Sequence, residues 1–103
     1  MYRSRMRCEV VFGHFADVLR VMEEVNALVR DRGWSESTLW VPTVGKGHEL
    51  ISEVEYPDLA TFEREGEAFF SDADAMALWR KASEHIVQGS VYTELFQPAP
   101  HLA

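Results

Sequence analysis

The chain is short of the features that mark many functional classes. Cys8 is its single cysteine, which excludes an internal disulfide and any multi-cysteine zinc site. Basic residues are in deficit, 10 Lys and Arg against 17 Asp and Glu, giving a net charge of −7 and a pI of about 5.0. A field of that sign repels phosphate backbones and anionic lipids, so neither nucleic acid nor a membrane is an expected partner. No segment approaches the roughly 18 uninterrupted apolar residues of a membrane span, and the N-terminus lacks the apolar core of a signal peptide. A cytoplasmic location is the expectation. Gly13 stands alone at the first strand-to-helix passage, so no glycine-rich turn is available for the pyrophosphate of a flavin or nicotinamide. His-x-x-x-His and Glu-x-x-His spacings, phosphate loops and nucleophile elbows are missing too, and neither metal nor cofactor is expected.

What remains is an ordinary globular composition, 47% hydrophobic and 26% charged over 103 residues, enough for one domain spanning 1–103 with a tail at 98–103. A chain this short buries about 60–65% of its unfolded surface, so association is a natural source of further stability. The strands point the same way. Met6, Cys8, Val10 and Phe12 share one phase of the first strand while Val11 takes the other; Leu39 and Val41 oppose Trp40. Leu50 and Val54 oppose Ile51, and Val91 and Leu95 oppose Tyr92 and Phe96. Period-two alternation therefore puts large apolar groups on both faces of the sheet, whereas the helices suffice to cover one. The pattern predicts an obligate dimer. Glu49, Glu53 and Glu55 share one phase, as do Arg7 and Glu9, which predicts cross-strand ion pairs.

Phe15, Val18, Leu19, Met22, Val25 and Val29 recur at helical spacing, and Asp31-Arg32-Gly33 closes that helix with a left-handed cap. Residues 34–43 and 47–56 read as strands joined through Val44-Gly45-Lys46-Gly47, with Pro42 marking an end free of ladder bonds. Asp58 is placed to cap a helix through Leu59, Phe62, Phe69 and Phe70. Ser71-Asp72-Ala73-Asp74 breaks it, and a second stretch runs from Met76 through Trp79 to Ile86, with His85 inside it. Gly89-Ser90 precedes a last strand at 91–97. The order is β-α-β-β-α-β with a broken second helix: an α+β, ferredoxin-like fold with a four-stranded antiparallel sheet and helices on one face.

With Phe12-Gly13-His14-Phe15, the hairpin exit Glu53-Val54-Glu55-Tyr56-Pro57-Asp58-Leu59-Ala60-Thr61-Phe62, and Ala77-Leu78-Trp79-Arg80-Lys81, this order resembles the dimeric α/β-barrel superfamily. Within it, the chain is similar to NIPSNAP-like and antibiotic-biosynthesis-monooxygenase proteins. The resemblance implies a homodimer paired sheet to sheet and a pocket between the sheet and the broken helix. It implies a small-molecule-binding protein with an apolar or aromatic ligand, extending to a cofactor-independent monooxygenase on an aromatic or polyketide-like substrate. The alternative is a non-catalytic NIPSNAP-like binding or interaction protein. Haem degradation does not fit, because the first strand offers Arg7 and Glu9 where haem-degrading relatives carry Asn.

Cofactor-free oxygenation requires a general base and donors to an oxyanion in a dry pocket. His85 is the candidate base, with Trp79 and Tyr92 positioning the substrate. Trp40, Phe62, Phe69 and Phe70 are the candidate pocket walls.

Overall fold

The structure is a computed structural model, and it describes residues 1–101. Its elements are β1 (Tyr2–Glu9), α1 (Phe15–Arg32), β2 (Ser37–Trp40), β3 (Glu49–Tyr56), α2 (Leu59–Ser71), α3 (Ala73–Ser83) and β4 (Tyr92–Phe96). The strands form one antiparallel sheet in the order β2-β3-β1-β4, the ferredoxin-like arrangement.

β1 is a central strand, and its alternation decides what each sheet face carries. Ser4, Cys8 and Val10 are buried, and Met6 packs on the core with them. Ser4, Met6 and Cys8 face Val54, Ser52 and Leu50 of β3 in register, and Val18 and Met22 of α1 close the cluster from above. The other phase holds Arg3, Arg5 and Arg7, paired in register with Glu55, Glu53 and Ile51 of β3 and with Phe96, Glu94 and Tyr92 of β4. Arg7 donates to Glu94 at 3.0 Å and Glu49 at 3.2 Å, and Arg5 donates to Glu53 at 3.0 Å. Arg3 pairs with Glu53 and Glu55, and Lys46 with Glu9. The expected ion pairs are present. They also correct the apolar reading of this face: Trp40, Ile51, Tyr92 and Phe96 lie on it as islands in an Arg/Glu lattice.

α1 buries Val18, Val21, Met22, Val25 and Val29, one stripe at helical spacing. It ends at Gly33, whose φ of 76° is the left-handed conformation a glycine adopts without strain. Ala75 and Ala82, seven residues apart on α3, are fully buried; small side chains there allow the close approach of α3 to α1. The break between α2 and α3 is one residue long. Asp72 accepts from the backbone N–H groups of Asp74 and Ala75 and from Arg32, joining α3's start to α1's end.

Several expected boundaries move. β2 starts at Ser37, because Trp34 still bonds back to the Val29 carbonyl and Ser35 is held by Glu65. Residues 41–48 form a longer connection than the expected four-residue turn. Val10 makes an isolated bridge to Ile86, so the strand pattern does not carry through to Phe12, which is 82% exposed. α3 stops at Ser83, leaving His85 in the following turn rather than inside a helix. No described helix is long and apolar enough to cross a membrane.

Cys8 is 2% exposed, and burial pushes its thiol up to about 11. The folded chain is expected to leave Ellman's reagent unreacted at pH 8 and the denatured chain to titrate one thiol; rapid reaction of the folded chain would contradict this core. The Ala75 backbone N–H, then Arg32, hold the Asp72 carboxyl below its usual range. Its stabilisation is complete above the unfolded value near 4 and fades as pH falls through the lower folded one. Asp72→Ala should lower Tm at pH 7 by about 5 °C, with the deficit shrinking in acid, as differential scanning calorimetry across pH would record.

Candidate functional site

The residues expected to surround one pocket are distributed over the molecule. Trp40 pairs in register with Ile51 and Tyr92 with Arg7, which puts both on the open face, away from the helices. Phe62 of α2 meets Tyr56 edge to face at 5.3 Å. Phe69 packs near Trp34 at 6.4 Å and Phe70 at 5.8 Å, while Phe70 itself is 69% exposed. Trp79 is partly buried on α3, and its carbonyl accepts from the Ser83 hydroxyl. The sheet separates Trp40 and Tyr92 from the α2 and α3 aromatics.

His85 has a different neighbourhood, at the end of β1. The Val10–Ile86 bridge, the bond from Val11 N–H to the His85 carbonyl at 2.8 Å and that from Val87 N–H to the Glu9 carbonyl at 2.8 Å clamp the post-α3 turn to the strand. The chain then reverses through Gly13, and His14 N–H bonds to the Val11 carbonyl at 3.0 Å. These backbone bonds fix where two imidazoles stand. The rings of His14 and His85 are stacked, centroids 4.0 Å apart and 3° from parallel.

His14 is the residue before α1, and Asp17 lies in the first turn, where the helix dipole favours an anion. His14 Nδ1 lies 3.0 Å from Asp17 Oδ2, and Arg20 donates to Asp17 Oδ1 at 3.2 Å. The hydrogen bond from His14, ahead of every other influence, holds the Asp17 carboxyl below its ordinary range. An ionised carboxylate only accepts, so the bond requires a proton on Nδ1, and in the neutral ring Nε2 is then the nitrogen that carries the lone pair. Such a dyad can orient a base or ligate a cation. Sequence reading singled out His85 alone. His14 lies far from it in sequence, and the one local signal was a His-x-x-Asp spacing at a helix start.

Concave space lies elsewhere. A shallow cleft of about 300 Å³ on the open face is lined by Arg5, Trp40, Ile51 and Glu53. Another, of about 310 Å³, sits where the start of β1 meets the end of β4, with Arg3, Arg5, Phe96 and Pro98 in its wall. The Arg5 guanidinium lies 5.1 Å above the Phe96 ring, a cation–π contact.

Solved structures share this architecture from end to end. A NIPSNAP domain protein from Burkholderia xenovorans superposes with a TM-score of 0.80 over 100% of this chain and 99% of its own, at 12% identity. A NIPSNAP family protein from Agrobacterium tumefaciens gives 0.78 over 95% and 92%, at 15% identity. This is the NIPSNAP and antibiotic-biosynthesis-monooxygenase fold. An antibiotic biosynthesis monooxygenase completes the comparison at 0.75, covering 97% of this chain and 100% of its own at 15% identity. No family model matches the chain, and no curated protein matches it. At these identities the likeness to NIPSNAP and monooxygenase structures is one of fold.

The aromatic packing gives a direct test of the wall residues. Phe69→Ala should cost about 2 kcal/mol in urea unfolding, below a full core deletion because the ring is partly exposed, and Phe70→Ala should stay within about 0.5 kcal/mol. Equal losses would contradict the packing described.

Proposed function

We propose that the chain is a homodimeric small-molecule-binding protein of the dimeric α/β-barrel type, paired through the open sheet face. The supporting observation is a set of large aromatic side chains left exposed on one sheet face. Trp40, Tyr92 and Phe96, all exposed, are the side chains such an interface would take up, and aromatics dominate interface energetics.

Closing this face over the two clefts would enclose space bordered by Trp40, Ile51 and Phe96 and edged by Arg5. That chemistry suits a small apolar or aromatic ligand carrying an acidic group. The finer reading, a cofactor-independent monooxygenase, takes its support from a fold shared with an antibiotic biosynthesis monooxygenase. It needs a base against the ligand, and His85 and His14 stand together at the sheet end, where Val11 and Phe12 are exposed. A non-catalytic NIPSNAP-like binding role is therefore the reading this geometry favours.

Sedimentation equilibrium at micromolar concentration should give twice the 11.8 kDa chain mass. Ile51→Glu, which adds a carboxylate between Glu49 and Glu53, should shift the protein to monomer by at least a hundredfold in Kd. A folded wild-type monomer, or an unaffected Ile51→Glu dimer, would refute the pairing. Native mass spectrometry of the purified dimer then tests the binding role through a retained small molecule.

A further inference from the structure

We infer that His14, Asp17 and His85 form a binding site for a divalent transition-metal ion, independent of the open-face reading above. Each residue offers one donor atom, and the three donors lie within 4.8 Å of one another. Donors about 2.1 Å from a common tetrahedral zinc-type ion lie about 3.4 Å apart, so the site closes through side-chain movement of about 1.4 Å at most. Two imidazoles and one carboxylate select a borderline ion such as zinc, cobalt or nickel; magnesium and calcium prefer an all-oxygen shell.

The frame around the donors is already made. Backbone bonds from Val11 to His85 and from His14 to Val11 hold both histidines against the end of β1 before any ion arrives, which reduces the ordering cost of ligation. Asp17 supplies negative charge, and the net −7 of the chain adds a favourable long-range field. The positive end of α1 opposes a cation here, and the negative end of α3, two residues before His85, offsets it. Arg20 competes for Asp17, yet its side chain is 72% exposed and free to swing into solvent.

One movement is required. A metal lies in the plane of each imidazole it binds, and two parallel stacked rings cannot share such an ion. Ligation must rotate one ring out of the 4.0 Å stack. Both rings are partly exposed, so the rotation disturbs no buried packing. The His14 side chain makes no capping bond to α1, and its reorientation leaves the helix start intact.

The test is titration of the chelator-stripped, full-length protein with zinc chloride by calorimetry, with cobalt chloride by visible absorption, and with magnesium chloride as the hard-cation control. The expected result is one zinc per chain with Kd below about 10 µM, cobalt bands of four- or five-coordinate intensity, and no magnesium binding. His14→Ala, His85→Ala and Asp17→Ala should each weaken zinc at least tenfold. His48→Asn and His101→Ala should not; asparagine is used at 48 because that residue has a φ of 63°. Circular dichroism establishes that each variant folds, and Asp17→Asn serves in place of any that does not. Absence of zinc binding, or stoichiometric binding undiminished in the His14 and His85 variants, would overturn the site.

Discussion

Side-chain alternation along β1 organises this molecule. β1 lies between β3 and β4, so its residues from Arg3 to Arg7 are flanked on two sides, and its two phases differ completely in chemistry. Ser4, Met6, Cys8 and Val10 go under the helices. Arg3, Arg5 and Arg7 go to the opposite face, where carboxylates from the neighbouring strands meet them. A one-residue slip of register would drive three guanidinium groups into the core and expose Cys8 and Met6, so the alternative pairing is strongly disfavoured. Individual surface ion pairs contribute little and weaken with salt; what the lattice supplies here is register.

The same lattice sets the character of the open face. Its charges are paired within the chain, which lowers the cost of bringing a second surface against it, since no unpaired ion need be desolvated. Between the charges stand Trp40, Ile51, Tyr92 and Phe96. A face built this way suits a polar, aromatic-anchored contact more than a continuous apolar core. The same arrangement leaves room on one sheet for both the proposed interface and the shallow clefts.

The fold was legible in the sequence because local signals agreed: the α1 stripe, the Gly33 cap, the Asp72 break and the β3 run each named their own element. Boundaries failed where a tertiary contact outranked the local pattern. Trp34 and Ser35 were claimed by α1 and α2 before β2 could begin, and Ile86 left the helical stripe to bridge Val10. The expected pocket joined aromatics by type alone. The phase of Trp40 and Tyr92, readable from strand register but not from helical spacing, puts them across the sheet from Phe62 and Phe69. The histidine cluster depended on a contact between distant segments, which no spacing rule reports.

The central claim is that the open face is completed by a second copy of the chain, and Trp40 reports on it most directly. Trp40 is 53% exposed on a single chain and is one of three tryptophans. Labelling with 5-fluorotryptophan gives three fluorine resonances, with Trp40 assigned by Trp40→Phe, and the shift between light and heavy water measures the solvent exposure of each. The pairing predicts a Trp40 resonance with almost no solvent isotope shift at high protein concentration and a growing shift on dilution. A large, concentration-independent isotope shift at Trp40 would contradict it.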